Sequence, residues 1–76
     1  AMSTARGTVL VIDDEEVMRE VLEALLQREG YEVRLAVNGM EGLELARSQT
    51  VDAVIVDVMM PGMDGLAVLG ELKAMD

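Results

Sequence analysis

Between residues 8 and 56 the hydrophobic period of the chain switches repeatedly between that of a strand and that of a helix, and few folds accommodate the alternation. TVLVI at residues 8–12 is an apolar, largely β-branched run that ends at Asp13 and Asp14, which suits a strand buried on both faces. From Glu15 the period lengthens. Met18, Val21, Leu22, Leu25 and Leu26 share one helical face, while Arg19, Glu20, Glu23, Gln27 and Arg28 fall mostly elsewhere, so this segment predicts an amphipathic helix. Glu15 and Glu16 suit its first turn, Arg28 its last, and Gly30 a left-handed stop.

Tyr31, Val33 and Leu35 then alternate with Glu32, Arg34 and Ala36, the pattern of an edge strand with one wetter face. Asn38 followed by Glu41 resembles a capping box, and Gly39, Gly42, Leu43 and Ala46 form a narrow helical stripe behind it. Gly42 lowers helix stability by about 1 kcal/mol against Ala unless close packing requires it. VDAVIV at residues 51–56 predicts a third strand, a loop spans residues 58–63, and Asp64 caps a third helix with Leu66, Leu69 and Leu72 on its apolar face. The order is βαβαβα. Such alternation implies an α/β doubly wound parallel sheet with right-handed crossovers, whose ligands gather beyond the carboxyl ends of the strands.

With 76 residues, one aromatic side chain (Tyr31) and no Cys, the chain forms one small domain packed by aliphatic side chains, without disulfides. Fifteen acidic against six basic residues give a net charge of -9, which repels nucleic-acid phosphates and anionic membranes. No apolar run approaches the roughly 20 residues that span a bilayer, and no signal-peptide core is present; a cytoplasmic location is expected. Ala1 ahead of Met2 looks like a tag remnant, so residues 1–7 are read as a flexible N-terminus and residues 8–76 as the domain.

A lone aspartate after a strand is more often a cap or turn former than a ligand. Here there are three. Asp13 and Asp14 follow the first strand and Asp57 the third; if these strands are neighbours in a parallel sheet, the three carboxylates meet on one rim. Their mutual repulsion favours a cation among them. All-oxygen ligation favours Mg²⁺, or Mn²⁺, and no His or Cys is present to bind zinc. After Asp57, the turn at Pro61 and Gly62 separates the carboxylate from the helix cap at Asp64.

Paired Asp13-Asp14 after a strand, then DVMMPGMDG at residues 57–65, resembles the receiver domain of two-component response regulators over nearly all of residues 8–76. The resemblance implies that Asp57 is the phosphoacceptor, a nucleophile that takes a phosphoryl group from a histidine kinase or phosphotransfer protein. It implies that Asp14, Asp57 and the backbone carbonyl of Met59 ligate Mg²⁺ directly and that Asp13 acts through a bound water. It further implies strand order 2-1-3, with the last two βα units of a receiver ordered 2-1-3-4-5 absent, together with the family's phosphoryl-binding hydroxyl and lysine. Lys73 is not that lysine, and it is expected on a solvated helix face.

Two expectations follow for such a fragment. Phosphorylation is impaired, because donors to the transferring group are typically worth a few kcal/mol each. The third strand becomes an uncovered edge, so the chain is expected to form a homodimer by edge pairing or element exchange. The competing reading is accordingly a self-associating structural fragment with a vestigial acidic site. A phosphatase of the haloacid-dehalogenase type is disfavoured, since that family needs a second Asp where Met59 stands.

Overall fold

The computed structural model describes residues 6–57; the expected loop at 58–63 and third helix, with Leu66, Leu69, Leu72 and Lys73, lie outside them. The elements are β1 (Thr8–Ile12), α1 (Glu16–Arg28), β2 (Glu32–Ala36), α2 (Gly39–Ser48) and β3 (Ala53–Val56). The three strands form one parallel sheet in the order β2-β1-β3, the doubly wound order expected. Ile12 pairs with Ala36 on one side and Val56 on the other. All three strands therefore end level, which places the residues that follow them on a common rim.

β1 is central and its side chains divide between two layers. Leu10 and Ile12 point with Ala36 to the α2 side, where Leu43, Leu45, Ala46, Val54 and Val56 pack against them. Val9, Val11 and Val33 point to the α1 side and meet Leu22, Leu26, Tyr31 and Leu35. Burial on both faces explains why β1 reads as an unbroken apolar run. Ala36, assigned by its period to the wetter face of β2, is fully buried, because that face is dry at the end of the strand where α2 crosses it.

The helix ends follow the local chemistry. α1 closes with Gly30 at φ 94, the Gly30 N–H donating to the Gln27 carbonyl and the Tyr31 N–H to the Leu26 carbonyl, each at 3.0 Å. This pair of bonds satisfies carbonyls that the helix leaves open, and the positive φ requires glycine. At α2 the Asn38 side chain accepts from the Glu41 N–H at 2.8 Å. The Glu41 carboxylate reaches back to the Val37 N–H at 3.1 Å, one residue earlier than the cap residue itself, so the box is present with its return bond displaced.

Two expectations are refined. β3 begins at Ala53 rather than Val51, because the Asp52 carboxylate turns to accept the Thr8 N–H at 2.7 Å while its own N–H donates to the Thr8 carbonyl at 2.8 Å. The apolar stripe of α1 is also wider than its contact with the sheet. Leu22 and Leu26 pack on it, whereas Met18, Val21 and Leu25 remain 45%, 47% and 53% exposed. At about 100° per residue, Val21, Leu25 and Met18 follow one another along one flank beside Leu22, and no described element covers that flank.

Candidate metal centre

The level strand ends bring the three expected carboxylates together. Asp13 follows Ile12 and Asp57 follows Val56, and these two strand residues are direct neighbours across the β1–β3 ladder. The Asp57 N–H donates to the Ile12 carbonyl at 3.0 Å and the Asp13 N–H to the Ala36 carbonyl at 3.1 Å. The sheet thus holds both backbones one residue beyond the strands. One carboxylate oxygen from each of Asp13, Asp14 and Asp57 lies within 4.8 Å of the others.

The three side chains differ in their surroundings. Asp13 is buried, 6% exposed, and its Oδ1 accepts the Glu15 N–H at 2.9 Å, closing the turn that starts α1. Asp57 is half-buried and Asp14 exposed. A buried carboxylate beside two others is electrostatically costly unless positive charge or hydrogen bonds balance it. The donor set is all oxygen and spaced to share one small ion, so these residues fit the hard divalent cation, Mg²⁺ or Mn²⁺, that their chemistry suggests.

Met59, the fourth expected ligand, lies outside the described residues. A further contact was not legible as such in the sequence. Arg19, read there only as part of the polar side of α1, donates from Nη1 to the backbone carbonyl of Asp13 at 2.7 Å. Its only sequence signal is an arginine one helical turn beyond an acidic helix start.

Known proteins share this sequence pattern and this fold. The family described as the response regulator receiver domain matches residues 9–76. The response regulator MprA of Mycolicibacterium vanbaalenii is 47% identical over 66 residues, which are 87% of this chain and 29% of that protein. The crystal structure of the response regulator TrrA from Thermotoga maritima in complex with Mg²⁺-BeF superposes with a TM-score of 0.87 at 46% identity, over 92% of this chain and 61% of that one. A structure of the histidine kinase ThkA in complex with TrrA gives a TM-score of 0.86 at the same identity, over 92% of this chain and 60% of that one. The chain thus spans under a third of the length of such a curated relative and about three fifths of the solved chains.

Proposed function

Because this chain belongs to the response regulator receiver family, the signalling modules of two-component systems, we propose that it accepts a phosphoryl group on Asp57, with Mg²⁺ bound at Asp13, Asp14 and Asp57. The observation that carries the reading is the meeting of three carboxylates within 4.8 Å at the carboxyl ends of β1 and β3. The donor is a histidine kinase or a phosphotransfer protein; a relative 46% identical was solved in complex with a histidine kinase. The same relative was solved with Mg²⁺-BeF, which supports Mg²⁺ as the ion, and the backbone carbonyl of Met59 is proposed as its remaining protein ligand.

The chemistry assigned to the chain's own residues is nucleophilic. A carboxylate oxygen of Asp57 attacks phosphorus as the phosphorus–nitrogen bond of a phosphohistidine breaks, and the bonding pair leaves with the imidazole, which takes up a proton. The product is an acyl phosphate. Phosphoryl transfer depends on positioning and charge stabilisation more than on covalent chemistry by the protein. Asp57 is positioned by its backbone bond to Ile12, and Asp13 is held by the Glu15 N–H, so the rim offers a fixed nucleophile. When bound, the metal supplies neutralisation of the charge on the transferring oxygens.

The test is direct. The chain is incubated with acetyl phosphate and Mg²⁺ and its intact mass measured; a gain of about 80 Da, one HPO₃ unit, that vanishes in Asp57→Asn supports the reading. An adduct of equal yield in Asp57→Asn refutes Asp57 as acceptor. A second reading, self-association of this chain through β3, is favoured by one observation: among the described residues β3 is hydrogen-bonded on one side only, and Ile55 on it is 39% exposed. An edge of that kind templates pairing with another strand. Sedimentation decides it, a strictly monomeric species at micromolar concentration excluding the homodimer.

A further inference from the structure

Of the three rim carboxylates, Asp14 is the one that packing does not hold. Its side chain is exposed and makes no hydrogen bond among the described residues, so its direction is set by the backbone that carries it. That backbone is the peptide linking Asp13 to Asp14, just past the end of β1. Its carbonyl oxygen receives Nη1 of Arg19 at 2.7 Å. The half-buried Arg19 stands on α1, and its backbone N–H donates to the Glu15 carbonyl at 3.0 Å, so the side chain departs from a backbone fixed in the first turns of a regular helix. With the Asp13 N–H bonded to Ala36 and Asp13 Oδ1 to the Glu15 N–H, the Arg19 bond is the third fixed point of this turn. It acts on the plane whose orientation determines where the Asp14 side chain departs.

We infer that Arg19 is a positioning residue for the metal centre: by holding the Asp13 carbonyl it aims the exposed Asp14 carboxylate at the point shared with Asp13 and Asp57. The inference rests on the receiver reading of the rim as a Mg²⁺ site. It is separable from simple electrostatics by sign. A guanidinium near a cation site repels the cation, so on charge alone removing Arg19 tightens metal binding. If Arg19 acts by aiming Asp14, its removal loosens binding. At a half-buried rim in ordinary salt the repulsion is screened, whereas losing a group that orients a metal ligand typically weakens affinity by 10- to 100-fold. The metal's own geometry sharpens the distinction. Mg²⁺ demands near-ideal octahedral coordination, while Ca²⁺ accepts irregular and more numerous oxygen ligands, so a misaimed Asp14 penalises Mg²⁺ more than Ca²⁺.

The experiment is calorimetric titration of Mg²⁺ and of Ca²⁺ into the chain and into Arg19→Met and Arg19→Lys, with far-UV circular dichroism on each. The expected result is a Mg²⁺ affinity weakened about tenfold or more in Arg19→Met, a much smaller change for Ca²⁺, an unchanged spectrum, and partial recovery in Arg19→Lys, which retains a donor able to reach the carbonyl. Equal or tighter Mg²⁺ binding by Arg19→Met overturns the inference and leaves the metal site standing. Equal losses for both ions with an altered spectrum also overturn it, by reducing Arg19 to a structural role. Failure of the unsubstituted chain to bind Mg²⁺ overturns the metal-site reading, and the inference with it.

Discussion

Gly42→Ala places a physical bet on how closely α2 sits on β1. In an isolated helix the change stabilises by about 1 kcal/mol. Here Gly42 is a buried residue of α2, and a Cβ added to it would overlap Cδ1 of Ile12 and stand 2.6 Å from its Cγ1. Ile12 has no exposed surface and is paired on both sides, to Ala36 and Val56, so its backbone cannot retreat without disturbing the sheet. Overpacking of that kind costs about 1–3 kcal/mol, which meets or exceeds the propensity gain and leaves Gly42→Ala neutral to about 2 kcal/mol destabilised. The cycle with Ile12→Ala isolates the clash. Alanine lacks both Cδ1 and Cγ1 and by itself costs about 2–5 kcal/mol; in its presence Gly42→Ala should become less destabilising or stabilising, a coupling of about 1 kcal/mol or more. Urea unfolding of the four proteins measures this, with equal m-values required for the comparison. Stabilisation by the full propensity increment in the unsubstituted background, with no coupling to Ile12, would refute the close seat. A functional consequence accompanies the clash: Ile12 immediately precedes Asp13, so Gly42→Ala should also weaken Mg²⁺ binding.

Two further outcomes are expected. Leu22→Ala, which removes a contact with the Val9, Val11 and Val33 cluster, should destabilise by about 2 kcal/mol, while Leu25→Ala on the exposed flank of α1 should stay within about 0.5 kcal/mol; reversal of that order in urea unfolding would show that the helix is rotated relative to the sheet. Mg²⁺ at about 100 times its dissociation constant should stabilise the chain by about 2.7 kcal/mol, and Asp14→Asn and Asp57→Asn should each abolish most of the gain, as read by thermal melting with and without chelator.

Much of the fold was legible because each local signal had one dominant cause. β1 reads as a continuous run since both its faces are covered, Gly30 marks a helix end since only the left-handed backbone closes that turn, and Asn38 with Glu41 announces a helix start through bonds confined to the five residues from Val37 to Glu41. The carboxylates were legible for a topological reason. Parallel strands that end level put the residues after them side by side, so Asp13 and Asp57 meet whatever side chains fill the sheet. What escaped depends on contacts between distant segments. The capture of the Thr8 N–H by Asp52, 44 residues away, shortens β3 from an apolar run that gave no sign of it. The exposure of Met18, Val21 and Leu25 depends on how much sheet lies beneath α1, which periodicity does not encode. Arg19 looked like any solvated helix residue, because a bond to a backbone carbonyl leaves no trace in side-chain pattern.

These two classes of feature divide the proposed metal centre itself. Asp13 and Asp57 are fixed by the sheet: each donates a backbone N–H to a neighbouring strand, and register alone sets their separation. Asp14 is fixed by the loop and helix that follow, through the turn at Asp13 and the reach of Arg19. A substitution that weakens the sheet should therefore lower stability and metal binding together, whereas one confined to the start of α1 can change the metal's affinity and selectivity at nearly constant stability. The second kind of variation alters how readily the rim binds its ion without endangering a small fold in which, among the described residues, few side chains are fully buried. On this argument the β1–α1 turn, more than the strands, is where affinity for the ion can be adjusted.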